Sequence, residues 1–365
     1  MILATPGPVE IPLFVRESFL GETLHHRTPE FRELFVDTLT RWKLLTKMPY
    51  GVFLASSGTG GMEAAVLNGV QRRGLVINSG KFGERWGKIC ASFNIPFKEL
   101  KYPWDTPADP DQVAEELQKG DYDGVMIQIS ESSGGLRHPV EEIARRVKEL
   151  RPEVLVIADG ITALGVEKIN TTNIDIIIGG SQKAFMLPPG LAMLGISELG
   201  RERIGKGRGF YFNLGVELEK QQEGTTAFTP AVGHIVALNR VLKKLEEIGF
   251  ENHYQFTARR HRGMLKGVEK LGLKIYPKAP AKSIVAIEVE RAEELRKILK
   301  EQFQILVAGG QDQLKGRLIR INNMGFLTPN QLVYIFNSLE LALVELGLRS
   351  RYTGGGVRAL SKYLF

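Results

Sequence analysis

A chain of 365 residues with 43% apolar and 24% charged side chains has the make-up of a globular protein. It is long enough for two or three domains, or for one large α/β domain with a smaller partner. No apolar run approaches the roughly 20 residues of a membrane span, and the N-terminus MILATPGPVE has neither the basic nor the apolar region of a secretion signal, so a cytoplasmic location is expected. Cys90 is the only cysteine, which excludes an intrachain disulfide and a cysteine-built metal cluster; no metal is expected. The net charge of +7 (48 basic, 41 acidic) would suit nucleic acid or an anionic small molecule. The basic residues, however, lie beside acids at helical spacing, as in VEEIARRVKELR and ALNRVLKKLEEIG, and read better as solvated helix faces than as a nucleic-acid surface.

In chain order, TPGPVEIP with its three prolines predicts an extended N-terminal arm. From about residue 50 to 200 short apolar runs alternate with amphipathic segments. VFLASS, LVINSG, GVMIQIS, VLVIADG, IDIIIGG and LAMLGIS read as buried strands, whereas MEAAVLNGVQRR, ERWGKICASFN, PDQVAEELQKG and PVEEIARRVKEL read as helices. Such alternation predicts a mainly parallel sheet with helices on both faces. After about 240 the pattern changes. One long helical stretch runs from VGHIVALNRVLKKLEEIG through FTARRHRGMLKGVEKLG, followed by SIVAIEVE, a helix RAEELRKILKEQ, strands ILVAGG and RLIRINN, and a last helix PNQLVYIFNSLELALVELG. The expected division is an arm at 1–15 packing on the small domain, a large domain at 16–240 and a smaller α+β domain at 241–365.

Ligands of parallel sheets bind beyond the carboxyl ends of the strands. At one end, SSGTGG places Ser57, Gly58 and Thr59 between a strand and a helix. Free N–H groups and hydroxyls there suit a phosphate, although the same small residues also build ordinary turns. The loop does not match G-x-G-x-x-G, and LVINSG ends in Asn78 where a dinucleotide site would offer an acid, so a nicotinamide cofactor is disfavoured. VLVIADG ends in Asp159, an N-cap or a buried carboxylate in need of a cation. The next long strand, IDIIIGG, runs into SQK, which puts Lys183 at the neighbouring strand end, either as a snorkelling lysine or as a desolvated nucleophile. A ligand with a phosphate, a protonatable ring nitrogen and an aldehyde would satisfy all three positions, and pyridoxal 5′-phosphate is such a ligand.

These residues belong to a wider set: TPGPV, HHRTPEF, SSGTGGMEAA, NSGKFGERW, ESSGG, ADGITALG, GGSQKAFMLPPG and TTAFTPAV, spread over nearly the whole chain. In that order they resemble the class V aminotransferases of the fold type I pyridoxal-phosphate enzymes, in the alanine-glyoxylate and serine-glyoxylate (serine-pyruvate) branch. The resemblance implies an α/β fold with a mainly parallel seven-stranded sheet, helices on both faces and a smaller α+β C-terminal domain. It implies Lys183 as the Schiff-base lysine, Asp159 as partner of the ring nitrogen, Gln182 with Ser57, Gly58 and Thr59 on the phosphate, Phe82 stacked on the ring, Ile161 on its other face, and Ser132 on the ring oxygen. Read alone, Phe82 would be an ordinary core residue.

Thr226 and Thr229 resemble phosphate contacts donated by the neighbouring subunit, which implies a homodimer with shared active sites; by composition TTAFTP is only a loop. Arg320 in GRLIRINNMG resembles the arginine that takes the substrate α-carboxylate, with Arg317 as the alternate and a surface role as the plain reading. Arg27, beside His25 and His26, is a further candidate for the cleft. The implied reaction is ping-pong transfer of an amino group from alanine or serine to glyoxylate or pyruvate. Phosphoserine aminotransferase is the rival within the cofactor class, because a His-Arg pair like His26-Arg27 serves the substrate phosphate there. A cysteine desulfurase is set aside because Cys90 falls in a predicted helix, and a non-catalytic scaffold is disfavoured by the presence of Lys183, Asp159 and Arg320 together.

Overall fold

The computed structural model describes residues 1–21 and 24–365. Seven strands form the central sheet: β1 (Tyr50–Leu54), β2 (Gly74–Asn78), β3 (Phe97–Lys101), β4 (Gly124–Gln128), β5 (Leu155–Asp159), β6 (Ile176–Gly180) and β7 (Ala192–Ile196). From edge to edge they lie β1-β7-β6-β5-β4-β2-β3. The pairs from β6 to β3 are parallel, and β7 runs antiparallel to both β6 and β1. β7 reverses because residues 181–191 hold no crossover helix to carry the chain back for a parallel return.

Every residue of β4, β5, β6 and β7 is buried, which is why these strands read as continuous apolar runs. Successive side chains enter opposite layers. Ile157, Ile178 and Leu194 meet Met62, Val66 and Trp86 of the helices Gly58–Gly69 and Lys81–Ser92. Val156, Ile177 and Met193 face Phe35 and Trp42 of Pro29–Thr46 and Leu238 of Val232–Ile248. The sheet is therefore covered on both faces, as the alternation required. β3 was not evident from the sequence, since FKELK lies at the sheet edge with every residue half-buried or exposed.

A second, wholly antiparallel sheet is built from β8 (Lys274–Ile275), β9 (Ile284–Glu288), β10 (Ala308–Gly309) and β11 (Leu318–Asn322), in the order β8-β9-β11-β10. Its apolar face, with Val285, Ile287, Ile319 and Ile321, packs on Leu295, Phe336 and Leu339. The helix Pro329–Glu345 starts at a reciprocal cap between Thr328 and Gln331 with proline in its first turn, and it is not the last, since a short helix Gly355–Ser361 follows it. The helical stretch read as continuous across 232–270 divides into Val232–Ile248 and Phe250–Lys270 at Gly249, whose φ of +83° no helix accommodates.

The N-terminal strand Ile2–Leu3 pairs with Ile305–Leu306, and Ala4 lies fully buried in the second core. From there residues 5–9 cross to the large sheet, where the Val9 N–H bonds to the Gln182 carbonyl at 3.2 Å. Among the described residues no helix is long and apolar enough to cross a membrane.

Candidate active site

β5 and β6 are parallel neighbours with Asp159 opposite Ile178, so Asp159 and the turn after β6 emerge at one end of the sheet. The turn is held by Ser181. Its hydroxyl donates to the Pro188 carbonyl at 2.8 Å and accepts from the Leu191 N–H at 3.1 Å, while its carbonyl accepts from Leu187. That closure fixes the half-buried Lys183 over the strand end and gives Pro188 a structural purpose. A cavity opens beside it, lined by Ser57, Gly58, Thr59, Phe82, Arg85, Ser130, Ser132, Asp159, Ile161, Thr162, Gln182 and Lys183.

The two ionisable groups shift toward each other. Burial pushes the Asp159 carboxyl up to about 6 and nearby Glu131 adds to this, against the Ile161 N–H, Arg85 and Lys183; the Ile161 N–H donates at 2.8 Å. Burial pulls Lys183 down to about 8, with Arg320 and Arg85 acting in the same direction and Asp159 opposing. An amine with that pKa is substantially neutral at mildly alkaline pH and is therefore a usable nucleophile and base. Its Nζ donates to the Pro6 carbonyl at 2.6 Å, and a Cβ at Gly7 would stand 2.6 Å from Nζ, so the N-terminal arm forms a wall of the site.

Ser57 occupies the N-cap of Gly58–Gly69 without a side-chain cap bond, which leaves the first N–H groups of the helix without intrahelical acceptors. A Cβ at Gly58 would meet Ile161 Cδ1 at 2.5 Å, so glycine is what allows the loop this close to Ile161. Two buried polar atoms in the cavity lack any partner, Gln182 Oε1 and Ser130 Oγ. Unsatisfied buried groups of this kind mark a place for a polar ligand. The lysine, the buried carboxylate, the free helix N-terminus and the unpartnered Ser130 hydroxyl fit pyridoxal 5′-phosphate.

Phe82 is the second residue of the helix Lys81–Ser92, and its N–H and that of Gly83 donate to Glu131 at 3.0 and 2.9 Å. Glu131 is fully buried; burial raises its pKa, opposed by these bonds and those from Ser133. Arg320 lies on β11, 7% exposed, with burial pulling its pKa down to about 10. Its guanidinium donates to the Gly309 carbonyl at 3.0 and 2.7 Å and to the Ser132 carbonyl at 2.6 Å, thereby joining the small sheet to the cavity rim. Arg317 instead pairs with Glu288 at 2.9 Å and lines a separate cleft, outside the Lys183 cavity.

Three expected residues lie elsewhere within the chain. Arg27 is exposed and lines a groove with His26, Arg32 and residues 223–225, because the start of the helix Pro29–Thr46 holds it away from the Lys183 cavity. Thr226 and Thr229 line a depression with Phe53 and Tyr211, and the Thr226 hydroxyl donates to the Phe228 carbonyl at 2.6 Å. Cys90 is buried against Met126, and burial pushes its thiol up to about 12, far from a reactive thiolate. The structure adds Arg85, Ser130, Thr162 and Glu131 to the site; NSGKFGERW and ESSGG contain Arg85 and Glu131, but a helical Arg and a strand Glu carry no distinctive signal alone.

A mainly parallel, doubly covered sheet with such a lysine and aspartate at adjacent strand ends is the architecture of fold type I pyridoxal-phosphate enzymes. The family model "Aminotransferase class-V" matches residues 84–324. The chain is 46% identical over 352 residues to a Helicobacter pylori protein named "Uncharacterized aminotransferase", covering 96% of this chain and 95% of that one. It is 26% identical over 390 residues to the serine--glyoxylate aminotransferase of Methylorubrum extorquens, covering 99% and 95%. Among solved structures, an aspartate aminotransferase of subgroup IV from Thermus thermophilus matches with a TM-score of 0.89 and 31% identity over 94% of this chain and 99% of that one. The chain belongs to the class V aminotransferases, which are pyridoxal-phosphate enzymes.

Proposed function

We propose that this aminotransferase moves an amino group from a small L-amino acid, alanine or serine, to a 2-oxo acid such as glyoxylate or pyruvate, as a cytoplasmic homodimer. The observation that carries this reading is the pairing of Lys183 and Asp159 at the ends of β6 and β5 in one cavity, each with a pKa displaced toward neutrality. When bound, pyridoxal 5′-phosphate supplies an aldehyde to hold the amino group and a ring to accept the electrons released from Cα. Ser57, Gly58, Thr59 and Gln182 would hold its phosphate, Phe82 and Ile161 its ring faces, Ser132 its ring oxygen, and Lys183 its aldehyde carbon.

Asp159 keeps a proton at the ring nitrogen. Lys183 would remove the Cα proton of the bound amino acid and later return a proton, a role suited to an amine with a pKa near its working pH. Arg320 orients the substrate carboxylate. Its bonds to Gly309 and Ser132 occupy three of its five N–H groups, so two remain for a carboxylate without dismantling the rim. The arm at Pro6 and Gly7 closes the lysine side of the cavity against water.

Support for the dimer comes from the surface around Thr226 and Thr229. Phe210 is 82% exposed and packs on Phe228, which also stacks with Tyr211. An aromatic cluster this open suits coverage by a second copy, which would carry the two threonines to its partner's phosphate.

Aspartate is the second donor reading, supported by the names of two relatives, the Thermus aminotransferase and an L-aspartate--glyoxylate aminotransferase of Paracoccus denitrificans at 28% identity. Phosphoserine is named by solved structures at 22% and 15% identity, a likeness of fold alone, and His26 and Arg27 stand outside the Lys183 cavity of their own chain. The test is spectroscopic: the yellow cofactor-loaded protein is mixed separately with L-alanine, L-serine, L-aspartate and L-phosphoserine. Bleaching by alanine or serine is expected; bleaching by aspartate or phosphoserine alone would transfer the assignment to that donor.

A further inference from the structure

We propose that Arg85 is the cationic receptor for the cofactor's phosphate. The inference rests on the pyridoxal-phosphate reading of the site and adds the charge that the residues assigned above do not provide. Ser57, Gly58, Thr59 and Gln182 offer only neutral donors, yet a phosphate carries close to two negative charges and is costly to desolvate without a cation. Arg320 is turned to the Gly309 and Ser132 carbonyls, and Lys183 to the Pro6 carbonyl.

Arg85 lines the same cavity, and its Nη1 donates to Thr59 Oγ1 at 2.9 Å, which places it directly against the helix N-terminus. Among the described residues it forms no ion pair, and that bond is its only hydrogen bond. Four of its five N–H groups are thus free for an anion. The guanidinium carbon lies 4.6 Å from the centroid of the Phe82 ring, three residues earlier on the same helical face, so the ring fixes the plane of the fork. Both neighbours of Arg85, Thr59 and Phe82, are thereby residues that flank the cofactor.

The experiment measures binding to cofactor-free protein by calorimetry, using pyridoxal phosphate, pyridoxal and inorganic phosphate, with wild type, Arg85→Gln and Arg85→Lys, after melting curves establish that each variant is folded. Loss of a charge-assisted contact should weaken pyridoxal phosphate by about tenfold to hundredfold in R85Q, while pyridoxal changes by less than about fivefold, the share of the Phe82 contact. R85K should recover part of the difference, and inorganic phosphate should compete more weakly in R85Q than in wild type. Equal weakening of pyridoxal phosphate and pyridoxal would reduce Arg85 to a support for Phe82 and overturn the proposal. So would unchanged binding of both with a raised KM for the amino donor, which would make Arg85 a substrate-carboxylate group. Wild-type protein that binds neither form would instead overturn the cofactor reading on which the proposal stands.

Discussion

Replacing Asp159 with asparagine should stabilise the cofactor-free protein while damaging the enzyme. The carboxyl is raised from 3.8 to about 6 by burial and Glu131. At about 1.4 kcal/mol per pH unit, its ionised form therefore costs the folded state about 3 kcal/mol. The sign follows from proton counts. Between pH 3.8 and about 6 the folded protein binds more protons at this site than the unfolded chain does, so stability falls as pH rises through that window and the full cost is present above it. Asparagine resembles the neutral acid and can still accept from the Ile161 N–H. Asp159→Asn should accordingly raise the unfolding free energy by about 2–3 kcal/mol at pH 8 and leave it unchanged below pH 4, as measured by urea titration of wild type and variant without cofactor. In the loaded enzyme the same variant should lower kcat by orders of magnitude, because nothing then holds the ring-nitrogen proton. A destabilised variant at pH 8, or the same gain at pH 4 as at pH 8, would refute the electrostatic account of this site.

Further outcomes follow from the same geometry. Lys183, pulled down to about 8, should react with amine-selective acylating reagents in the cofactor-free protein with a midpoint near pH 8, read by peptide mapping across a pH series; a midpoint at 10 or above would show an ordinary solvated lysine. Arg320→Lys keeps charge but loses the planar fork, and should raise the KM for the amino acid at least tenfold with little change in cofactor affinity, as determined by steady-state kinetics and calorimetry. Gly58→Ala drives a methyl group to 2.5 Å from Ile161 Cδ1 and should weaken cofactor binding by tenfold or more, whereas Cys90→Ser, in the core against Met126, should cost stability but leave kcat within about twofold.

The sequence made much of this structure legible because its signals were local and redundant. Strands buried on both faces announce themselves as apolar runs, and six of the seven in the large sheet were evident for that reason. Asp159 and Lys183 stood out because a charged residue directly after such a run breaks the pattern. β3 gave no such signal, since an edge strand with half-exposed charges resembles a loop. The division at Gly249 was hidden because both flanking helices keep helical periodicity and only the backbone conformation separates them. The helix Pro29–Thr46 is readable in principle, with Thr28 as N-cap, Pro29 in the first turn and Phe31, Phe35, Leu39 and Trp42 along one face.

Arg85 and Glu131 illustrate a different limit. Their importance depends on long-range placement: Glu131 meets the backbone of Phe82 and Gly83 from a distant strand, and Arg85 reaches Thr59 from the next helix. No spacing rule along the chain encodes such contacts. Arg27 shows the converse, a charged residue in a suggestive motif that the fold carries away from the cavity of its own chain.

The central claim, that Lys183 is the residue that carries the cofactor, is tested most directly by covalent mapping. Protein loaded with pyridoxal 5′-phosphate would be reduced with borohydride, digested, and analysed by mass spectrometry. The account predicts a single phosphopyridoxyl group on Nζ of Lys183, and none at stoichiometric yield in Lys183→Ala. Modification centred on another lysine, or an equally labelled Lys183→Ala protein, would contradict it.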